Sequence, residues 1–239
     1  MICFAAIAPH GDIDAAPELR AAMDELGRQF DGSACDAVVV VTPHNVHVEG
    51  HFAVVTASRV GEHETDRELA SDLVAAIRAE GLPVVGVSYG GNDPAEAELP
   101  LDWGTEVPLQ FVRAPRVVVI APARDRPLDE HVRLGEAIAR GSGARRVGLV
   151  ASADHAHAHD AEGPYGFDRA AAAYDARFLE LLALETPDFG PLAELVDAAR
   201  ADSLWQLLVL QGAAPGAAKL LAYAAPTYYG MAVAIVETG

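Results

Sequence analysis

Short, almost wholly apolar runs alternate along the chain with longer segments in which apolar residues recur at helical spacing. Residues 2–8 (ICFAAIA) form the first run, of strand length, and Pro9-His10-Gly11-Asp12 stops it. Residues 16–30 place Leu19, Met23, Leu26 and Phe30 on one side, with Pro17 at the start, and predict an amphipathic helix. A second strand is predicted over 36–42 (DAVVVVT), and it too runs into a Pro-His pair, Pro43-His44. Residues 46–57 alternate and read as a strand or hairpin, 65–79 as a helix with Leu69, Leu73, Ala76 and Ile77 on one face, and 83–88 as a short buried strand. A polar loop is expected over 90–100. The stretch that follows, LDWGTEVPL (101–109), reads as a turn packed under or beside a pocket.

The same alternation continues with a strand over 116–121, a helix over 128–140 and a strand over 145–151. Helices are predicted over 167–184, 192–199 and 203–210, with Gly190-Pro191 as a break. The last segment, 217–237, reads as two closing strands around Pro226-Thr227-Tyr228-Tyr229-Gly230. Buried strands separated by helices predict an α/β fold, and 239 residues suit one large domain spanning 1–239.

Charge then narrows the function. Seventeen Lys and Arg against 35 Asp and Glu give a formal charge of −18, which repels phosphate backbones and anionic membrane surfaces, so no nucleic-acid or membrane partner is expected. No apolar stretch reaches the ~20 residues needed to span a bilayer, and no basic region precedes the first apolar run; a cytoplasmic protein is expected. Cys3 and Cys35 each lie beside an apolar run and are read as reduced, buried thiols.

The candidate chemistry sits at the strand ends. In doubly wound α/β proteins the ligand crevice lies outside the carboxyl ends of the parallel strands. His10, His44 and His157 each leave such an end, so metal binding or catalysis is the reading they favour. The stretch after the strand at 145–151, VASADHAHAHDAEGPYGFD, carries His155, His157 and His159 at alternate positions beside Asp154 and Asp160. Extended chain would turn all three imidazoles to one side, which suits a metal or proton-transfer site; the same stretch alone also reads as a histidine-rich surface loop. His47, His51, His63 and His131 are read as surface or structural histidines.

These motifs, in order APHGD, VVVVTPHN, LDWGTEVPL, ASADHAH with GPYGFD, and YAAPTYYGM, resemble the class III extradiol ring-cleavage dioxygenases, the LigB-like superfamily that includes the Memo-type proteins. The resemblance implies an α/β domain with a central mixed, mostly parallel sheet flanked by helices. It also implies a non-haem Fe(II) held by His10 and His44, a catechol-like aromatic substrate opened by O2, and His157 as the acid/base. Two neutral imidazoles and one carboxylate on one face of Fe(II) leave positions open for a catecholate and O2. Family members commonly dimerise or pair with a second subunit, so either arrangement is expected here.

Two positions depart from the family pattern. The carboxylate ligand usually stands in a Tyr-Glu-Ala-Pro motif, where this chain has Tyr223-Ala224-Ala225-Pro226. Glu237, Asp12 and Asp154 are the candidate substitutes, with water or loss of the metal as alternatives. Trp103 stands where many members carry a smaller polar ring beside the substrate, and Glu106 is a further carboxylate that could face the pocket, as His155 could. Three functions follow: an Fe(II)-dependent extradiol dioxygenase, a metal enzyme of other chemistry such as one using Zn(II) as a Lewis acid, or a metal-free binding or adaptor protein on the same scaffold.

Overall fold

Apolar runs buried on both faces become the middle of a sheet. The computed structural model describes every residue except 91, 92, 94 and 239. In chain order it contains β1 (Ile2–Ala8), α1 (Pro17–Ser33), β2 (Ala37–Val41), β3 (Phe52–Val55), β4 (Arg59–Val60), β5 (His63–Glu64), α2 (Arg67–Ala79), β6 (Val84–Val87), β7 (Glu98–Leu99) and α3 (Trp103–Leu109). Then follow β8 (Val117–Ala121), α4 (Leu128–Gly141), β9 (Val147–Ser152), α5 (Arg169–Leu182), α6 (Val196–Ala199), α7 (Leu204–Ala213), β10 (Ala218–Ala224) and β11 (Met231–Val236). Among the described residues, no helix is long and apolar enough to cross a membrane.

Eight strands form one mixed sheet in the order β10-β11-β1-β9-β2-β8-β3-β6. The centre, β1-β9-β2-β8, is parallel throughout, whereas β11 and β3 run antiparallel to it. Parallel neighbours have their carboxyl ends on one edge, so the residues after β1, β2, β8 and β9 emerge together. Alternate residues face opposite layers. Val39 and Val41 pack with α2, α4, α5 and α7, while Val38 and Val40 pack with the α1 residues Leu19, Met23, Leu26 and Phe30.

Several expectations need correction. The segment 101–109 is a helix, α3, and not a turn, because the Asp102 carboxylate accepts the Thr105 N–H at 3.0 Å and caps a helix start. The helix expected over 192–199 divides into a 3₁₀ turn at Gly190–Glu194 and the single turn α6. Of the expected loop over 90–100, Gly91, Asn92 and Pro94 lie outside the described residues, and its end supplies β7 to a small sheet, β5-β4-β7, that no period in the sequence announces. Strands of two residues are too short to show one. Cys3 and Cys35 are joined as a disulfide, against the expectation of free thiols, because α1 returns the chain beside β1 and brings the two Cα atoms to 6.6 Å.

Candidate metal centre and acid/base

His10 follows β1, His44 follows β2, and the two imidazoles meet with their Nε2 atoms 3.0 Å apart. The tautomer of His10 is fixed from behind. Ser152 Oγ donates to the Gly104 carbonyl, so it is left to accept from His10 Nδ1–H, 3.0 Å away, and His10 Nε2 is the atom turned to the site. The His10 backbone N–H donates to Asp154 Oδ1 at 3.0 Å. His44 is braced through its backbone N–H on Thr42 Oγ1, 3.3 Å away, while Thr42 Oγ1 and Asn45 Nδ2 both donate to the Asp102 carboxylate. The Trp103 ring lies over the His44 ring with centroids 4.5 Å apart and keeps 57% of its surface exposed.

The third donor is Asp202. One of its carboxylate oxygens lies 3.6 Å from the Nε2 of both histidines, and one ligand atom from each of the three residues falls within 4.8 Å of the others. Its other oxygen, Oδ1, is buried with no hydrogen-bond partner. A buried carboxylate with an unpaired oxygen, facing two convergent imidazole nitrogens, is a donor set suited to a divalent cation, and its two-histidine, one-carboxylate composition is that of non-haem Fe(II) sites.

The charges agree with that reading. Burial by itself would lower His10, but the carboxylates of Asp154 and Asp202 outweigh it and carry its pKa up to about 9. Burial and the neighbouring His10 push His44 down to about 4. Across the 3.0 Å contact His10 therefore holds the proton and His44 accepts, and a metal would take that proton's place. Burial would raise Asp202, yet His10 holds it below the ordinary carboxylate value, whereas burial raises Asp154.

Of the proposed substitutes for the family carboxylate, Asp12 and Glu237 lie away from these histidines. Asp154 comes nearest, with Oδ2 3.6 Å from His10 Nε2, but it holds the His10 backbone and lies outside the mutual donor set. Asp12 is exposed and accepts the Asp14 N–H, capping a 3₁₀ turn, while its own N–H donates to Tyr229 Oη. Glu237 follows β11, which runs antiparallel to β1, so it emerges at the opposite end of the sheet in a groove with Met1 and Pro215. Glu106 lies on the exposed side of α3, facing a groove with Gly61 and His63.

His157 lines an open cavity of about 310 Å³ together with His44, Asp202, Arg124, Arg200 and Tyr165. Its Nδ1–H donates to the His155 carbonyl at 2.9 Å, which leaves Nε2 as the acceptor, and its ring stacks on Tyr229 with centroids 5.6 Å apart. His155 does not join it. That side chain is fully buried against Phe178, with Nδ1 at 3.1 Å from Ser203 Oγ, and burial drives its pKa down to about 4. His159 Nε2 contacts Asp175 Oδ2 at 2.7 Å. The three alternate histidines part company because residues 153–158 are not regular strand; their backbone is tied by separate hydrogen bonds to different segments, His155 N–H to the Gly230 carbonyl and His157 N–H to the Ala199 carbonyl among them.

The model for the family described as the catalytic LigB subunit of aromatic ring-opening dioxygenase matches residues 19–235. The chain belongs to the LigB family. Over 98% of its length this LigB chain also superposes on the whole of an uncharacterised protein of Escherichia coli K12, JW3007, with a TM-score of 0.68 at 16% sequence identity, which shows a shared fold. No curated protein matches the sequence. Sequence reasoning missed Asp202 because Ala-Asp-Ser before the apolar residues of α7 reads as an ordinary helix start. Arg124 and Arg200 gave no signal either, since neither sits in a motif.

Proposed function

We propose that this LigB-family chain is an Fe(II)-dependent extradiol dioxygenase that opens a catechol-type ring with O2. The observation that carries the reading is the convergence of His10, His44 and Asp202 beside a cavity that also holds His157. Asp202 restores the carboxylate that Ala224 lacks. Fe(II) held by these three residues would supply open positions at which a catecholate and O2 are brought together. His157, with Nδ1–H committed to the His155 carbonyl, offers Nε2 to take a proton from a substrate hydroxyl and return it to the opened product.

Two arginines, Arg124 and Arg200, line the same cavity. Arg124 lies over Trp205 at 4.6 Å from its ring centroid, and Arg200 caps α6 in the left-handed region with φ 55°. In a chain with twice as many acids as bases, placing both at this mouth favours a substrate that carries an anionic substituent, such as a dihydroxybenzoate.

Metal content of anaerobically purified protein supplied with Fe(II), followed by oxygen uptake with catechol and with a dihydroxybenzoate, tests the proposal. One metal per chain and faster uptake with the carboxylated ring is the expected result. Metal binding without uptake would turn the assignment to a metal enzyme of other chemistry, with Zn(II) the first ion to try. No metal binding would leave a metal-free binding protein.

A further inference from the structure

Asp175 is a carboxylate in the wall of the fold, on the buried face of α5 and 2% exposed, that the chemistry above does not use. It accepts three donors. Oδ1 takes the Ala156 N–H at 3.0 Å, and Oδ2 takes His159 Nε2 and Tyr223 Oη, each at 2.7 Å. Ala156 and His159 stand on either side of His157, so one side chain grips the segment both before and after the acid/base.

The opposite side of that segment is held by the loop between β10 and β11. His155 N–H donates to the Gly230 carbonyl, Gly230 N–H to the Ala156 carbonyl, and His159 N–H to the Tyr228 carbonyl. Glycine is required at 230, because a Cβ there would overlap Asp175 Oδ2. Tyr223, on β10, ties this hairpin to the same carboxylate, and the hairpin's Tyr229 ring is the one stacked on His157. The carboxylate therefore fixes both the backbone that carries His157 and the aromatic ring that supports its imidazole.

We propose that Asp175 is a positioning residue for His157, clamping residues 156–159 and the β10–β11 hairpin so that His157 Nε2 stays turned to the cavity. The inference rests on His157 being the acid/base of the proposed function, but its geometry can be read without turnover. A carboxylate is needed because all three partners donate. An asparagine in its place would aim its amide hydrogens at one or two of them.

The test follows the His157 ring by nuclear magnetic resonance, with its signals assigned by their loss in His157→Gln, in wild type, Asp175→Asn and the milder Tyr223→Phe. The expected result is exchange of the His157 Nδ1–H that is about tenfold faster in Asp175→Asn and accelerated to a smaller extent in Tyr223→Phe. Zn(II) affinity should stay close to wild type in both, since the metal ligands lie on other segments. If the wild type turns over a catechol, kcat should fall by about ten- to a hundredfold with KM little changed. Unaltered His157 exchange in the variants, with only thermal stability lowered, would overturn the proposal and leave Asp175 a structural group. Should Asp175→Asn fail to fold, Tyr223→Phe decides alone. A wild type that consumes no oxygen would count against the proposed function without touching the exchange result.

Discussion

Ser152 and His10 meet through Oγ and Nδ1 at 3.0 Å, and because Ser152 Oγ gives its own proton to the Gly104 carbonyl, that contact selects which imidazole nitrogen of His10 faces His44 and Asp202 at the candidate metal centre. Partners of this kind typically contribute ten- to a hundredfold to metal affinity. Ser152→Ala is accordingly expected to weaken Fe(II) or Zn(II) binding by about that factor while the fold survives, as measured by calorimetric titration beside a circular dichroism spectrum. Unchanged affinity would mean that the carboxylates alone orient His10.

Asp202 should be indispensable to the metal, and the acids first suggested by the sequence should not be. Asp202→Ala, like His10→Ala and His44→Ala, is expected to emerge from anaerobic purification with Fe(II) stoichiometry near zero. Glu237→Gln and Asp12→Asn should retain it, because one lies at the far end of the sheet and the other caps a turn. Metal retained by Asp202→Ala but lost from Asp154→Ala would move the third ligand to Asp154.

Gly104 is packed too closely to carry a side chain. A Cβ there would overlap Thr42 Oγ1 and reach His44 Cδ2 at 3.2 Å, so Gly104→Ala has to displace the elements that orient His44. A stability loss of about 1–3 kcal/mol is expected from such overpacking, with weakened metal binding beside it. Urea denaturation and metal titration of the same sample check both.

His155 gives stability a pH dependence of known sign. Its folded pKa of about 4 lies below the 6.5 of an unfolded histidine, so between these values the unfolded chain binds the additional proton and stability falls as pH is lowered. Above about pH 6.5 the group is neutral in both states and costs nothing, and the loss of stability grows to ~3 kcal/mol once pH has dropped through 4. His131 is also lowered by burial and adds a slope of the same sign. His155→Phe should flatten the dependence of the urea midpoint between pH 4 and 6.5 relative to wild type, and identical slopes would show that His155 is not buried in its neutral form.

The sheet and its helices were legible because each rests on a local period. The continuous apolar runs of β1, β2, β8 and β9 and the 3.6-residue spacing in α1, α2 and α4 need no distant partner to be recognised. The same runs placed His10 and His44 at strand ends, and parallel pairing then brought those ends to one edge.

Where the remaining side chains go once the strands are neighbours is set by packing between distant segments. The carboxylate at the candidate site comes from Asp202, far along the chain in the irregular segment before α7, and its burial with an unpaired oxygen depends on packing that no local pattern encodes. Likewise, alternation predicted one face for His155, His157 and His159, but outside a regular strand each follows its own partner: Phe178 in the core, the open cavity, and the Asp175 carboxylate. The strand periods wrote the frame and two of the candidate ligands into the sequence, whereas the third candidate and the separation of the histidines arise from long-range contacts that exist only in the folded chain.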